Sequence, residues 1–305
     1  PNSKLANHMS EILNESLLEM SFAQKQRLAY IDFTLYFTGM MTRSEIVQHF
    51  ELGLAAATRD INLYKSLKPH NMRYDNALKK YFIAPEFTPL FAHDAHKTLI
   101  KLAHQISNGS DAIGEVEFPV EKPTNLNTPN IDVIATLSQA MVQHKVVSVI
   151  YTSLSSGSGA RELVPHSIVD NGQRWHVRAF DRKSPSFRDF VLTRLSQVSI
   201  IEDETVYAEE QAADEQWQTL LPLTLIPHSK NISHPTAIEL DFGMTDGKLI
   251  VHVRKAMAGY LLRRWNVDCS PHASLKGAEY QLQLANLEVL DEADNRTIAP
   301  GYHLH

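Results

Sequence analysis

Between Leu28 and Phe37 the apolar residues fall at helical intervals: Leu28, Ile31 and Leu35 form one stripe, and Phe33 and Phe37 widen it. Gly39 predicts where this helix stops. Thr42, with Glu45 three positions on, predicts a capping box opening a second, short helix whose buried face is Ile46, Val47 and Phe50. After the turn Glu51-Leu52-Gly53 a third helix is expected over 54–67, with Ala57, Ile61 and Tyr64 as its core stripe and Pro69 as its stop. Residues 71–83 predict a hairpin, with Tyr74, Asp75 and Asn76 near the bend and Lys79 and Lys80 on the return strand. A further helix is expected over 94–107.

The pattern then changes period. Residues 115–130, with Pro119, Pro123 and Pro129, read as a linker, and a helix is expected over 131–144. Short strands follow at 146–152, 162–169, 174–181, 187–192 and 198–201, with Asp170-Asn171-Gly172 as the clearest tight turn. Closely spaced short strands of this kind predict a small barrel or a strongly bent sheet. The serine- and glycine-rich stretch 155–159 reads as a flexible hairpin loop, since it lacks the Lys-Ser/Thr that a phosphate loop needs. Residues 202–216 carry seven Asp/Glu and no Lys/Arg and are expected to cross the surface as a linker. Beyond them the chain predicts a small α+β domain, with strands at 238–242, 249–253 and 280–284, a turn at Thr245-Asp246-Gly247 and a helix at 256–265.

Composition narrows the class. The 305 residues are 43% hydrophobic and 21% charged, ordinary for a globular protein of two or three domains. No apolar run is long enough to span a membrane, no export leader is visible, and the single cysteine, Cys269, points to a reducing cytoplasm. The dipeptide His8-Met9 reads as a cloning scar, so residues 1–8 are set aside as a tag remnant. The net charge of −6 conceals an asymmetry: residues 25–82 carry nine Lys/Arg against five Asp/Glu, whereas the remainder carries twenty against thirty. Fifteen histidines do not make a metal site here. His93 and His96 lack a third ligand, and His303 and His305 sit on the tail. No cofactor is implied.

Two helices joined by a tight glycine-containing turn are a DNA-reading geometry when the second leaves small and polar residues outside. The face opposite the core stripe carries Ala55, Arg59, Asn62 and Ser66, flanked by Ala56 and Thr58. Small alanines permit close approach to a groove, Arg59 suits a bidentate contact to guanine, and Thr58 suits a thymine methyl or a phosphate. Thr42, Arg43 and Ser44 offer amides and a cation to a phosphate at the second helix's start. A plain three-helix bundle would share this periodicity. The cluster Arg73, Tyr74, Lys79 and Lys80 on the hairpin, placed as a wing would be, favours DNA. In the β-block, alternation puts Arg188 beside Phe190 and Leu192, and puts His176 and Arg178 beside Phe180. Such cations suit an anion or nucleotide site, the alternative being surface arginines whose stems pack on the sheet.

Residues 161–201 resemble a WYL domain. Trp175-His176-Val177 stands at the naming tripeptide. Arg161 to His166 resembles the family's Arg-x-x-x-Pro strand, and Phe187 to Phe190 and Thr193-Arg194-Leu195 resemble its later elements. The segments Thr42–Ile46 and Thr58–Ile61, with the wing, resemble the winged helix of WYL regulators of phage-defence islands, the BrxR/CapW type. The resemblance implies an α+β multidomain chain. It would comprise a winged helix-turn-helix over 10–91, a helical linker over 92–130 and a small, Sm/SH3-like barrel sensing a ligand over 131–202. An acidic crossover over 203–222 and a dimerisation domain over 223–305 would follow. It implies a cytoplasmic, non-enzymatic homodimeric repressor of a phage-defence locus that binds an inverted repeat in double-stranded DNA and answers to a nucleotide or oligonucleotide effector. Tyr151, Ser153, His166, Trp175, Arg178, Arg188 and Arg194 are the candidate ligand residues. An activator with the same parts is the alternative. A nucleic-acid-processing enzyme is the rival from another class, disfavoured because no paired carboxylates or nucleophile–base pair accompany the arginines.

Overall fold

The computed structural model describes residues 15–95, 97–98 and 126–303. The helix expected over 94–107, Pro119 and Pro123 of the linker, His96, His305 and the suspected tag therefore lie wholly or mostly outside the described residues. Helix α1 (Phe22–Thr38) starts at Ser21, whose hydroxyl accepts from the Gln24 amide, and ends at Gly39 in the left-handed conformation. Strand β1 (Met40–Met41) leads to α2 (Arg43–Phe50), opened by the capping box: the Thr42 hydroxyl accepts from the Glu45 amide, and the Glu45 carboxylate accepts from the Thr42 amide at 2.6 Å. Helix α3 (Leu54–Leu67) follows. Leu28, Ile31, Leu35, Ile46, Ala57, Ile61 and Tyr64 are fully buried together, so the three stripes read from the sequence meet in one core. Strands β2 (Met72–Asp75) and β3 (Lys80–Ile83) form the expected hairpin, with Tyr74 opposite Tyr81. Strand β1 adds to its far edge, giving the order β1-β3-β2; two residues were too few to announce a strand.

A buried carboxylate ties the chain beyond the wing to this core. Asp32 accepts from the amides of Leu90 and Phe91 and from the Tyr64 hydroxyl, and its Oδ2 lies 2.9 Å from His93 Nε2. Helix α4 (Ile131–Gln143) packs on α1, with the Tyr36 hydroxyl donating to Asp132 and Gln139 donating to the Tyr36 carbonyl at 2.7 Å.

Strands β4 (Val146–Ser153), β5 (Gly157–Asp170), β6 (Trp175–Asp181), β7 (Ser186–Val191) and β8 (Leu195–Ile201) form one sheet in the order β7-β6-β5-β4-β8. The β5–β6 turn is held by the Asp170 and Asn171 side chains, which accept from the amides of Gly172, Gln173 and Arg174. Pro165 lacks the amide a ladder needs, and a bulge separates it from Ser167. The expected flexible loop at 155–159 is instead a tight turn: β5 starts at Gly157, Thr152 bonds Ser158, and Ser153 bonds Ser155. A closed barrel is not formed, because no pairing joins β7 to β8 among the described residues. The sheet is nevertheless curled. Strands β4 and β7 are three spacings apart, about 14 Å in a flat sheet. Even so, the Tyr151 ring meets Phe190 at 5.0 Å and its hydroxyl accepts from the Val191 amide at 3.4 Å.

By internal contacts the chain forms two compact units: one runs to 148 and includes 196–201, and the other comprises 149–195 and everything from 202. In the second unit, two single turns of 3-10 helix (Tyr207–Glu209 and Gln211–Ala213) lead into α5 (Glu215–Gln218). Strand β9 (Leu220–Pro227), helix α6 (Pro235–Asp241), strand β10 (Leu249–Arg254), helix α7 (Ala258–Arg264) and strands β11 (Val267–Asp268) and β12 (Leu282–Leu284) complete it. The sheet order is β10-β9-β12-β11, over a core that includes the fully buried Leu223, Leu225, Leu262, Val267, Leu282 and Leu290. The strand expected at 238–242 is helix α6. Ile238, Leu240 and Phe242 alternate as a strand would, but Pro235 presets the first helical turn, Ile238 enters the core and Leu240 is left 78% exposed. Its presumed partner β10 pairs with β9 instead, from Leu220 opposite Arg254. Among the described residues, no helix is long and apolar enough to cross a membrane and no cluster of His, Cys, Asp and Glu could hold a metal ion.

Candidate nucleic-acid interface and sensor site

With Ala57, Ile61 and Tyr64 fixed in the core, helix α3 turns Ala55, Arg59, Asn62 and Ser66 to solvent. Ala56 and Thr58 are half-buried at its flank. The helix has one carboxylate, Asp60, and it is drawn inward: Arg27 donates to both of its oxygens, at 2.6 and 3.3 Å, and it is 3% exposed. The outward face therefore carries a cation, an amide and a hydroxyl without a competing acid. Arg43 crosses from α2, its Nη1 donating to Thr58 Oγ1 at 3.2 Å, while Thr58 itself donates to the Leu54 carbonyl. Arg43 and Ser44 are exposed, but Thr42 spends its hydroxyl and amide on the cap, and Glu45 stands exposed beside them.

At the wing, Asp75 Oδ1 accepts from the amides of Ala77 and Leu78, and Lys79 takes a left-handed φ of +57°, which turns the chain into β3. Arg73, Tyr74 and Lys79 are exposed and Lys80 is half-buried. Tyr74 packs on Tyr81 at 4.7 Å, and Lys65 reaches over the Tyr81 ring from α3. Leu78, 59% exposed at the wing tip, is an apolar member of this surface that charge counting passed over.

The β-sheet candidates separate into two groups. Arg178 and His166 converge, but on a residue the sequence left in a linker. Arg178 donates to both oxygens of Asp214 at 2.6 and 2.9 Å and to Asp189 at 3.2 Å, and His166 Nε2 lies 3.0 Å from Asp214. Arg178 is 4% and Asp214 1% exposed, so this arginine is occupied within the chain rather than open to an anion. Burial pushes the Asp214 carboxyl up, but hydrogen bonds from His166 and Arg178 outweigh it and hold the group below the usual carboxylate range. Asp189 also accepts from the Tyr260 hydroxyl at 2.7 Å, and Trp217 stands edge-on to His166. Carboxylates thus do accompany the arginine set, contrary to expectation, although both serve as its ion-pair partners. The acidic stretch, expected as a surface crossover, is strapped down along its length: Arg182 binds Glu209 through two bonds and Asp203 through one, and Lys255 binds Glu215.

The other group stays nearer the surface. Arg188 is exposed, with Nε donating to Ser186, and Arg194 is half-buried in a 3-10 turn. Tyr151, Ser153 and Trp175 are half-buried, Trp175 opposite Asp170. His176, expected to share an open face with Arg178, is 1% exposed, and burial lowers its pKa so that it stays neutral. Asp214, Asp189, Tyr260 and Trp217 were missed. The legible trace was Asp214 as a helix cap: it accepts from the Trp217 amide. Cys269 is buried and its thiol is pushed up by burial, as suits an inert packing residue.

A helix-turn-helix with a wing, followed by a curled sheet and a second α+β sheet, defines a winged-helix regulator with an added β-domain. Residues 23–105 match the BrxR transcriptional regulator winged helix-turn-helix domain, 132–200 the WYL domain, and 220–290 the BrxR transcriptional regulator C-terminal dimerization domain. The chain is similar to the DNA-binding transcriptional repressor CapW of Pseudomonas aeruginosa, 30% identical over 89% of this chain and 92% of that one. Its similarity to CapW of Escherichia coli strain KTE188 is 30% over 81% and 84%, and to CapW of Stenotrophomonas maltophilia 28% over 82% and 85%. The chain belongs to the BrxR/CapW family of WYL-domain transcriptional regulators. It is a regulator rather than an enzyme.

Proposed function

We propose that this protein is a DNA-binding transcriptional repressor that acts as a cytoplasmic homodimer on an inverted repeat and controls a phage-defence locus. The observation that carries the reading is the outer face of α3: Ala55, Arg59 and Asn62 stand outside while the only acid of that helix is held inward by Arg27. In this reading α3 enters the major groove, Arg43 and Ser44 meet the backbone beside it, and Arg73, Tyr74, Lys79 and Lys80 of the wing lie along the flanking phosphates. The dimerization domain matched over 220–290 supports two copies on one site, as does the small surface that a single winged helix offers. Lys79→Ala tests the wing. It should weaken binding to all sequences alike and flatten the dependence of log affinity on log salt by about one unit. An unchanged slope in a fluorescence-anisotropy titration would remove the wing from the interface.

We further propose that a phosphate-bearing ligand, a nucleotide or an oligonucleotide, modulates DNA binding through the β-domain, with Arg188 and Arg194 as its cations and Tyr151, Ser153 and Trp175 as further candidate contacts. Arg188 supports this reading because it is exposed and bonded only locally. Such a ligand shifts operator affinity only by preferring one arrangement of the dimer, and a 10- to 100-fold preference corresponds to about 1.4–2.7 kcal/mol. Arg188→Ala should leave ligand-free operator binding intact and abolish the response to added nucleotides or short oligonucleotides. Loss of ligand-free binding would instead place Arg188 on DNA or in the dimer.

A further inference from the structure

A cavity of about 490 Å³ lies within the second unit, between the β5–β6 turn and the C-terminal sheet. None of the seven residues named for the β-domain site lines it. Its lining includes the apolar Ile168, Leu220, Val253 and Leu261 and the rings of Trp217 and Tyr260. The Tyr260 hydroxyl is committed to Asp189, so the ring, not the hydroxyl, is what this wall offers. Three basic side chains stand at the cavity: Arg254, Arg264 and His252. Arg254 is rigidly set, with its guanidinium 4.6 Å from the centre of the Trp217 ring and Nη1 donating to the Trp217 carbonyl at 2.6 Å. Arg264 lies over the β5–β6 turn in a space that only glycine leaves: a Cβ on Gly172 would come within 2.5 Å of its Cδ. The one acid at the cavity, Asp170, has Oδ1 engaged by the Gly172 amide at 2.7 Å.

Apolar and aromatic lining with two placed guanidinium groups matches one kind of guest. A ring stacks on the face of Arg254 left free by Trp217, and a charged oxygen group meets the arginine forks. The volume lies in the range of small-molecule sites, roughly 300–1,000 Å³. We propose that this cavity binds a small planar organic anion, a nucleoside monophosphate or an aromatic carboxylate, that touches the β5–β6 turn and the C-terminal sheet together. The site is independent of the operator reading and of the Arg188 site.

Calorimetric titration of the full-length chain with AMP, salicylate and adenosine tests it. At least one anion should bind, with adenosine about tenfold weaker or more because it lacks the charge, and the tighter anion tells nucleotide from aromatic acid. Arg264→Glu, an exposed substitution, should weaken that anion about tenfold with an unchanged circular dichroism spectrum. Leu261→Trp, which puts a bulky ring at the lining, should abolish binding. The proposal is overturned if neither anion binds below about 1 mM, or if Arg264→Glu leaves affinity within about twofold. Parent-like binding by a folded Leu261→Trp protein would also overturn it, showing anions gathered on surface charge alone.

Discussion

Asp214→Ala is expected to destabilise the second unit by about 3–5 kcal/mol, the cost of taking from buried Arg178 its two-bond partner and leaving it a single bond to Asp189. The removed carboxylate accepts both forks of Arg178 and faces His166, and Arg178 is 4% exposed, so water cannot readily replace it. Urea denaturation followed by tryptophan fluorescence reads this unit directly, because Trp175, Trp217 and Trp265 all belong to it. The pH dependence has a definite sign. Asp214 titrates lower in the folded chain than in the unfolded one, so its contribution is complete above about pH 4 and is lost as pH falls through the folded value. Parent and variant should therefore differ most near neutrality and converge in acid. The double variant Arg178→Met with Asp214→Leu, which removes both charges, should recover much of the loss. A single Asp214→Ala variant as stable as the parent would mean that the strap is not anchored by this pair.

Arg59→Ala should cost about 1–3 kcal/mol at the operator and relax base preference at one position of each half-site. The position is exposed on α3, away from the core stripe, so stability should be nearly unchanged while binding falls roughly 5- to 150-fold. The contrast with Lys79→Ala gives the test its resolution. A base contact changes discrimination between sequences, whereas a phosphate contact lowers all of them together. If Arg59→Ala binds the operator and its mismatched variants as the parent does, α3 is not the reading helix.

The first unit was largely legible in the sequence because its determinants are local. The Thr42–Glu45 capping box, the stop at Gly39 and the stripe Ala57, Ile61, Tyr64 each act over three to seven residues, and each has its expected structural role. The Asp32 cluster was not legible, since its partners Leu90 and Phe91 lie far along the chain and donate backbone amides that no residue type announces. In the β-domain, alternation placed Arg178 on a face but could not say what covered it. The cover, Asp214, stood among seven acids that read as a linker crossing the surface. A run of like charges predicts a surface crossing only when no buried cation waits for it, and Arg178 and Lys255 do. The helix at 235–241 failed for the converse reason: seven residues are too short for period 3.6 to be told from period 2, and the deciding feature was Pro235 at the first turn.

DNA footprinting of the full-length protein on the region upstream of its own gene tests the central reading most directly. Two protected half-sites in inverted repeat should appear, their centres separated by one or more whole helical turns, with protection fading steeply as salt rises. Uniform coverage with no preferred site, or no protection at low salt, would contradict a dimeric winged-helix repressor.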